Sequence, residues 1–397
     1  MKGEMRLDKN EHQEEITSPK HVYIHIPFCA QKCFYCDFAV FVWQGEDWVD
    51  QYLGALEHEI SRVLDHQPLP RVETIYIGGG TPSLLNESQL ERLFSLLARY
   101  FPIRTPNHEI SLETNPGTLT PSKLEIIKAG GVNRISIGVQ TFHDAILKRI
   151  GRNHTAKEAI HAVYMVEKAG FNNINIDLMY GLPGQEMDHL LSDLDQVSQL
   201  PLTHLSAYNL KVEENTHFGR WQREGSLLLP GEELEAEMYE RIIEKLSSIG
   251  LEQYELSNFA RPGFRSQHNL GYWLNHRFYG FGAGAWGYLG RERYGNMRAL
   301  IPYIRHSIKG LPREEILPVT EQEEMEEMMF LGLRLTEGIS DSRFRERWNV
   351  SMNQIYGVQI EELTNKGLLE KKEDRIRLTP MGRFLSNEVF VAFLQEK

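Results

Sequence analysis

Cysteine is scarce in this sequence. The 397 residues include three cysteines, and all of them lie between residues 29 and 36. An odd number of cysteines in one short window cannot form the paired framework of small secreted proteins, so a disulfide scaffold is excluded. The polar neighbours Gln31 and Lys32 also make this window a poor core segment. The spacing Cys29-x3-Cys33-x2-Cys36 therefore points to a metal centre.

The sequence also lacks a long apolar run and an excess of positive charge. No stretch approaches the roughly 20 apolar residues that span a bilayer, and the first twenty residues contain no apolar core of a signal peptide. Acidic residues outnumber basic ones by 55 to 43, and the net charge of -12 disfavours nucleic acid as a partner. We therefore expect a cytoplasmic protein without a transmembrane segment, in which residues 1–20 form a flexible leader.

What the sequence does have is a regular alternation of short apolar runs and amphipathic stretches. Strands are predicted at 21–26, 73–77, 109–113, 134–139, 173–178 and 204–210, each followed by helix, and the last helix covers 232–249. Such alternation predicts parallel strands with helical crossovers. Because six units are too few for a closed eight-stranded barrel, we predict an α/β fold with an open, partial (β/α)6 TIM-like barrel over residues 21–300.

Polar or glycine residues stand at the ends of the predicted strands. The cysteine loop follows the first strand, and the later strands end at or just before Gly79, Gly80, Thr81, Glu113, Gln140 and Asp177. In barrels of this type the carboxyl ends of the strands meet at one rim, where the chemistry is found. A plainer interpretation exists for each, since glycines also make ordinary turns and acids are usually exposed. Their shared position at strand ends favours a ligand site.

The metal at the cysteine loop has two candidates. Three thiolates on a short loop can hold three irons of a 4Fe-4S cubane and leave the fourth iron open to a small molecule. A structural zinc site is the alternative, with four ligands and usually paired Cys-x2-Cys hooks, and His25 could supply the fourth ligand. The spacing favours the cluster, and the residues alone leave both open.

The cysteine motif, with Tyr35 before its last cysteine, resembles the radical S-adenosylmethionine (SAM) superfamily. There, the methionyl amine and carboxylate of SAM chelate the open iron. Residues 25–29 and 35–38 resemble oxygen-independent coproporphyrinogen III oxidase and, more closely, the related HemW family of heme chaperones. The resemblance implies a 4Fe-4S cluster on Cys29, Cys33 and Cys36. It also implies SAM contacts at Tyr23, Tyr35, Gly79, Gly80, Thr81, Glu113, Gln140, Arg152 and Asp177.

A second stretch, residues 261–285, is aromatic, rich in glycine and predicted to be loop-like. It contains the pattern His268-Asn269-x-x-Tyr272-Trp273, which resembles the heme-binding signature of the heme chaperones. The resemblance implies that His268 ligates heme iron and that aromatic side chains pack on the macrocycle. The arginines at 261, 265 and 277 are candidates to pair with the heme propionates.

The C-terminal region carries different signals. Proline and glycine between 299 and 318 predict a linker. A helix at 321–335, helices capped by Ser340 and Ser351, and a strand–turn–strand wing at 368–378 then predict a winged-helix-like α+β domain over residues 301–397. This domain resembles the C-terminal domain of both the oxidase and the chaperone families.

Two departures separate those families. The oxidases have another cysteine two residues beyond the last ligand, where this sequence has Phe38, and they carry a longer N-terminal arm. We therefore expect a heme chaperone that delivers heme to acceptor hemoproteins, with a homodimer as an additional expectation. The alternatives are a radical SAM decarboxylase of coproporphyrinogen and a zinc-bearing binding protein.

Overall fold

The computed structural model describes residues 18–42, 45–65, 71–102 and 108–394. Residues 1–17 of the predicted leader lie outside the described residues. In chain order the strands are β1 (His21–Ile26), β2 (Phe28–Cys29), β3 (Phe41–Val42), β4 (Thr74–Gly79), β5 (Glu109–Thr114), β6 (Arg134–Gln140), β7 (Asn173–Tyr180), β8 (His204–Asn209), β9 (Glu252–Glu255), β10 (Asn258–Ala260), β11 (Phe278–Phe281), β12 (Trp286–Leu289), β13 (Glu292–Asn296), β14 (Arg313–Pro318), β15 (Ile339–Ser340), β16 (Leu369–Lys372) and β17 (Arg375–Leu378).

The α-helices alternate with these strands as the sequence predicts. In the barrel region they are Glu46–Val63, Glu87–Tyr100, Pro121–Ala129, Asp144–Arg149, Ala156–Lys168, Met187–Ser198, His217–Arg223, Glu232–Ser248, Gln267–Trp273 and Leu300–Lys309. Later in the chain they are Glu321–Gly332, Asp341–Trp348, Met352–Asn365, Pro380–Phe384 and Ser386–Val391.

The centre of the fold is a parallel sheet of β1, β4, β5, β6, β7 and β8, which are neighbours in that order. Each strand therefore lies beside the strand that precedes it in the barrel, as is usual for strands joined by short helical connections. This arrangement confirms the predicted partial (β/α)6 barrel. It also brings the carboxyl ends of all six strands to one rim and their amino ends to the opposite side, which we call the floor.

The sheet continues on both sides of these six strands. β11 pairs in parallel with β1, and β12, β13 and β14 follow in antiparallel order. On the other side, β10 and β9 extend the sheet from β8. Two expectations are therefore wrong. Residues 261–285 contain a helix and β11 rather than a loop, and residues 299–318 contain the helix Leu300–Lys309 and β14 rather than a linker.

Side chains of the central strands alternate between an apolar outer layer and a polar interior. On β1, Val22, Ile24 and Ile26 are buried in the main apolar core, whereas Tyr23 and His25 face inward, where the Tyr23 hydroxyl and His25 Nδ1 lie 2.9 Å apart. Other inward residues form hydrogen-bonded pairs, such as His204 with Asn175 at 2.6 Å. The outer layer supplies the hydrophobic stabilisation, and the interior is lined for polar ligands.

A buried carboxylate attaches the β11–β12 extension to the barrel. Glu59, on the helix Glu46–Val63, accepts hydrogen bonds from the Gly282 amide at 2.9 Å, from Asn296 Nδ2 at 2.6 Å and from the Tyr303 hydroxyl at 2.6 Å. Burial raises the pKa of Glu59 to about 7, while these bonds act in the opposite direction. The extension is thus tied to the barrel by donors that satisfy an otherwise costly acid.

The C-terminal region has its own apolar core, which gathers side chains between Met325 and Phe393. Ser340 and Ser351 cap their helices as predicted, and β16 and β17 form the wing, with β15 added beside β17. This confirms a winged-helix-like α+β unit, while the exact boundary at residue 301 stays a prediction. No helix in the described ranges combines the length and the apolar character that a membrane crossing requires.

Candidate metal centre and cofactor pocket

The three cysteines lie on the loop that follows β1 at the rim of the barrel. β2 pairs with β3, which closes the loop, and the Cys36 amide donates to the Cys33 carbonyl at 3.2 Å. The thiols are free and half-buried, and they line one pocket. Burial raises the pKa of Cys29 to about 11, although a hydrogen bond from Thr81 opposes this, and burial also raises the pKa of Cys36. Without metal the Cys29 and Cys36 thiols stay protonated, so metal binding by these two residues must release protons.

The pocket has a volume of about 390 Å³, within the range of small-molecule sites. Seven of the nine predicted SAM contacts line it together with the three cysteines: Tyr35, Gly79, Gly80, Glu113, Gln140, Arg152 and Asp177. The other two lie next to it. Thr81 donates from its hydroxyl to Cys29 Sγ at 3.7 Å, and Tyr23 stacks against Tyr76, a lining residue, at 6.2 Å. The structure thus brings together residues that are up to 154 positions apart, from Tyr23 to Asp177.

Glu113 is held at the inner wall by two donors. The Tyr76 hydroxyl donates to Oε1 at 2.7 Å, and the Gly79 amide donates to Oε2 at 2.9 Å. A Cβ at Gly78 would stand 2.8 Å from this carboxylate, so any other residue there would force the carboxylate to shift. Burial raises the pKa of Glu113 to about 7, against the effect of the Tyr76 hydrogen bond. The group therefore titrates near neutrality, where a cationic ligand would favour its charged form.

Arg152 lies between the cysteines and the end of β6. Its Nη1 donates to Cys33 Sγ at 3.5 Å, and its Nη2 donates to Asn115 Oδ1 at 2.7 Å and to the Gly138 carbonyl. Its Nε has no hydrogen-bond partner although it is buried. A buried guanidinium with an unused donor beside the thiols is suited to an anionic group such as a carboxylate.

Asp177 and Gln140 complete the wall. Asn175 Nδ2 donates to Asp177 at 2.8 Å, and the Ser136 hydroxyl donates at 3.3 Å. Burial raises the pKa of Asp177, with these hydrogen bonds opposing it. Gln140 has a φ of 72°, a left-handed conformation that turns the chain at the end of β6.

Several lining residues were not predicted from the sequence, namely Tyr76, Met179 and Val40. Tyr76 and Met179 lie inside strands whose apolar pattern predicts core positions. Asn115 and Tyr208, which stand at the ends of predicted strands, also line the pocket. Phe38 also lines the pocket and is 66% exposed, which places an apolar ring at the mouth.

His268 lies at the floor and not at the rim. Its side chain is 1% exposed, Nδ1 lies 2.7 Å from Thr74 Oγ1, and Nε2 lies 2.8 Å from the Tyr272 hydroxyl. The Glu109 carboxylate accepts hydrogen bonds from the amides of Gln267 at 2.8 Å and His268 at 3.2 Å, which fixes the start of the helix. Both imidazole nitrogens are thus engaged, and neither can ligate iron in this conformation.

The three arginines proposed for the propionates have other partners. Arg277 is buried and forms an ion pair with the equally buried Glu324 of the C-terminal region. Arg261 donates from Nε to the Leu202 carbonyl at 3.1 Å, and Arg265 lies over the Tyr254 ring at 5.6 Å. The expectation for Arg277 is wrong, because its charge is already neutralised inside the protein.

Known protein families match the barrel region and the C-terminal region separately. Residues 23–197 match the Radical SAM superfamily, and residues 319–385 match the HemN C-terminal domain. The heme chaperone HemW of Bacillus subtilis is 44% identical over 95% of this chain and 100% of its own length. The heme chaperones HemW of Lactococcus lactis and Escherichia coli are 42% and 34% identical, over 96% and 95% of this chain and 98% and 99% of their own lengths.

Among solved structures, coproporphyrinogen III oxidase (HemN) from Escherichia coli, described as a radical SAM enzyme, superposes with a TM-score of 0.83. The match covers 98% of this chain and 93% of that one at 23% identity. At this identity the likeness establishes a shared fold, including the C-terminal region.

Proposed function

This chain belongs to the HemW family within the radical SAM superfamily, and we propose that it is a heme chaperone that binds heme and passes it to acceptor hemoproteins. In this proposal Cys29, Cys33 and Cys36 hold a 4Fe-4S cluster, and the open iron binds SAM. The observation that carries the proposal is the meeting of these three thiols with seven predicted SAM contacts in one pocket of about 390 Å³.

The residues of the pocket fit this pair of cofactors. Three thiols supply the ligands that a cubane takes from a protein, with one iron left over. Arg152 offers a buried donor for the SAM carboxylate, and Glu113 and Asp177 offer acceptors for its amine or ribose hydroxyls. When bound, the cluster supplies an electron-transfer centre beside SAM. The protein side chains orient SAM and limit its contact with water.

The proposed heme ligand has no such support, because both ring nitrogens of His268 are hydrogen-bonded in the folded chain. Support for heme as the cargo comes from the relatives that carry the name heme chaperone.

The alternative is a radical SAM decarboxylase that acts on coproporphyrinogen, as the HemN-like fold permits. Phe38 favours the chaperone, since it stands where the oxidase motif has a further cysteine. Its exposed ring at the mouth of the pocket also offers an apolar contact to a flat macrocycle.

Location and partners belong to the same proposal. We propose a cytoplasmic protein that does not bind nucleic acid, supported by the net charge of -12 and three free cysteines. We also propose two domains, divided after β14 and not at the predicted residue 301, because β14 continues the barrel sheet. A homodimer is the proposed state, to be tested by light scattering.

The experiment is anaerobic reconstitution followed by hemin titration with and without SAM, and then transfer to an apo-hemoprotein. We expect iron and sulfide in the wild type and in the loop control Lys32→Gln. The triple variant Cys29→Ala, Cys33→Ala and Cys36→Ala should contain neither. Zinc in place of iron would overturn the proposed 4Fe-4S cluster, and failure to bind hemin would overturn the proposed chaperone function. Decarboxylation of coproporphyrinogen by the wild type would establish the alternative.

A further inference from the structure

A chain of hydrogen bonds, which we call the floor relay, crosses the floor of the barrel and ends in the C-terminal region. At this end, Arg343 Nη2 lies 3.0 Å from His276 Nε2. His276 Nδ1 lies 3.0 Å from His21 Nε2, and His21 Nδ1 lies 2.8 Å from Thr74 Oγ1. Thr74 Oγ1 is in turn 2.7 Å from His268 Nδ1, and His268 Nε2 is 2.8 Å from the Tyr272 hydroxyl. Every member of the relay is thus bonded to the next, and the relay joins two regions of the chain.

Arg343 sets the direction of the whole relay, because a guanidinium can only donate. His276 Nε2 must accept from it, so the proton of the neutral His276 ring lies on Nδ1 and is donated to His21 Nε2. His21 then carries its proton on Nδ1 and donates to Thr74. The opposite direction would require Arg343 to accept a hydrogen bond, which it cannot do.

The same logic fixes His268. Since the Thr74 hydroxyl accepts from His21, its own proton is donated to His268 Nδ1. His268 therefore carries its proton on Nε2 and donates it to the Tyr272 oxygen. The rings are neutral, as this assignment requires: burial lowers the pKa of His21 to about 4 and of His276 to about 3, and it lowers that of His268 well below the usual value.

The His268 ring also supports the cofactor pocket. It packs against Tyr76 with ring centroids 5.1 Å apart, and the Tyr76 hydroxyl donates to Glu113 at 2.7 Å. A side chain that fills the space below Tyr76 keeps this hydroxyl directed at the carboxylate. His268 thus touches the pocket through one intermediate residue.

We infer that His268 is a positioning residue of the barrel floor, which Arg343 holds in the tautomer that leaves no nitrogen free for iron. Direct ligation of heme by this buried ring would require it to leave Thr74 and Tyr272. The start of the helix Gln267–Trp273 is fixed by Glu109, and this makes the helix part of the barrel scaffold.

Imidazole nitrogen spectra of the protein without cofactors test the assignment directly. In protein labelled with 15N-histidine, long-range proton–nitrogen spectra distinguish the two neutral tautomers, and glutamine substitutions at 21, 268 and 276 assign the signals. We expect the Nε2–H tautomer for His268 and the Nδ1–H tautomer for His21 and His276. A His268 signal from the Nδ1–H tautomer would overturn the inference.

Variants of one helix test the role of Arg343. Arg343→Met removes the donor, so His276 should lose its single tautomer and show averaged nitrogen shifts. The matched control is Arg345→Met, on the same helix, whose exposed side chain pairs with Asp341 at 2.6 Å. We expect wild-type spectra from this control. Unchanged spectra in Arg343→Met would show that the arginine does not set the direction.

Hemin titration of His268→Gln tests the functional half, which rests on the proposed heme binding. We expect hemin stoichiometry and Soret position to match those of the wild type and of the exposed control His161→Gln. The SAM-induced change in the cluster's electron paramagnetic resonance should weaken. Loss of hemin binding by a folded His268→Gln protein would overturn the inference. Absence of hemin binding by the wild type would instead refute the proposed function and leave the tautomer result standing.

Discussion

Glu113→Gln is the most direct test of the cofactor pocket, because it removes a charge and can keep both hydrogen bonds. The Gly79 amide can only donate, so the Gln carbonyl oxygen takes that side. The Gln amide then faces the Tyr76 hydroxyl, which can accept as well as donate. The variant therefore separates the charge of residue 113 from its geometry.

The raised pKa of Glu113 gives the magnitude. An acid whose pKa rises on folding binds its proton more tightly in the folded state, so its cost to stability grows as pH rises through the unfolded and folded values. With a folded pKa of about 7 against an ordinary 4.5, this cost is about 1 kcal/mol at pH 5.5 and about 3 kcal/mol at pH 8. We expect urea unfolding to find Glu113→Gln more stable than the wild type, by about 2 kcal/mol more at pH 8 than at pH 5.5.

Binding of SAM should move in the opposite direction. Loss of a charged acceptor costs about 1.5–3 kcal/mol, which is roughly 10- to 100-fold in affinity. Wild-type affinity should also fall as the pH drops below 7 and Glu113 gains a proton, whereas the affinity of the variant should show no such step. Anaerobic calorimetry at pH 8 and pH 6 measures both effects. The control is Glu125→Gln, an exposed acid on the helix Pro121–Ala129. Equal SAM affinities of variant and wild type at pH 8, with the same pH slope, would refute the placement of Glu113 at the ligand.

Two further substitutions test the scaffold. Glu324→Gln leaves the buried Arg277 without its counter-charge. We expect urea unfolding to show a loss of about 3–5 kcal/mol in the free energy of unfolding, whereas the control Glu321→Gln, at an exposed position, should lose little. Equal stabilities of the two variants would contradict the buried ion pair. Gly80→Ala would place a Cβ 2.6 Å and 2.8 Å from two carbonyl oxygens at the start of the cysteine loop, so reconstitution should yield clearly less iron. The helical control Gly357→Ala meets nothing within 4 Å and should retain the iron of the wild type.

The barrel and its rim could be predicted because their signals are local. Each central strand is a short apolar run next to an amphipathic helix, and parallel strands bring their ends together without further information. Glu113, Gln140 and Asp177 were therefore predicted as neighbours although the chain separates them by dozens of residues. The cysteine spacing predicts the proposed metal ligands in the same local way, but it does not predict that Thr81 and Arg152 donate to the thiols.

The extension of the sheet could not be predicted from such signals. β11 is only four residues long, and its sequence Phe-Tyr-Gly-Phe shows no alternation of apolar and polar residues. It includes Gly280, whose backbone lies against the Trp286 carbonyl. The helix Leu300–Lys309 has Pro302 in its first turn, where a missing amide proton costs nothing. The same proline, read with Gly310 and Pro312, predicts a linker.

The burial of His268 could not be predicted from the sequence, for a different reason. A histidine next to asparagine and aromatic residues resembles an accessible ligand, and only the fold reveals that a polar interior can bury it completely. Tyr272 lies in the same motif as His268. The sequence contains no local sign that Thr74 and Glu109 also contact this residue, because both come from distant strands.

A heme site at the rim and a heme site at the floor predict different dependences of the hemin affinity on SAM and on Arg343. A macrocycle at the mouth would contact Phe38 and cover SAM, so hemin and SAM would change each other's affinity by the same factor. A macrocycle at His268 would first have to break the floor relay, whose direction Arg343 sets, so its binding would depend on the C-terminal region and not on the cysteines. A hemin affinity that responds to SAM, and that survives in Arg343→Met, is therefore what a rim site requires. An affinity that rises in Arg343→Met and ignores SAM would instead move the heme to the floor.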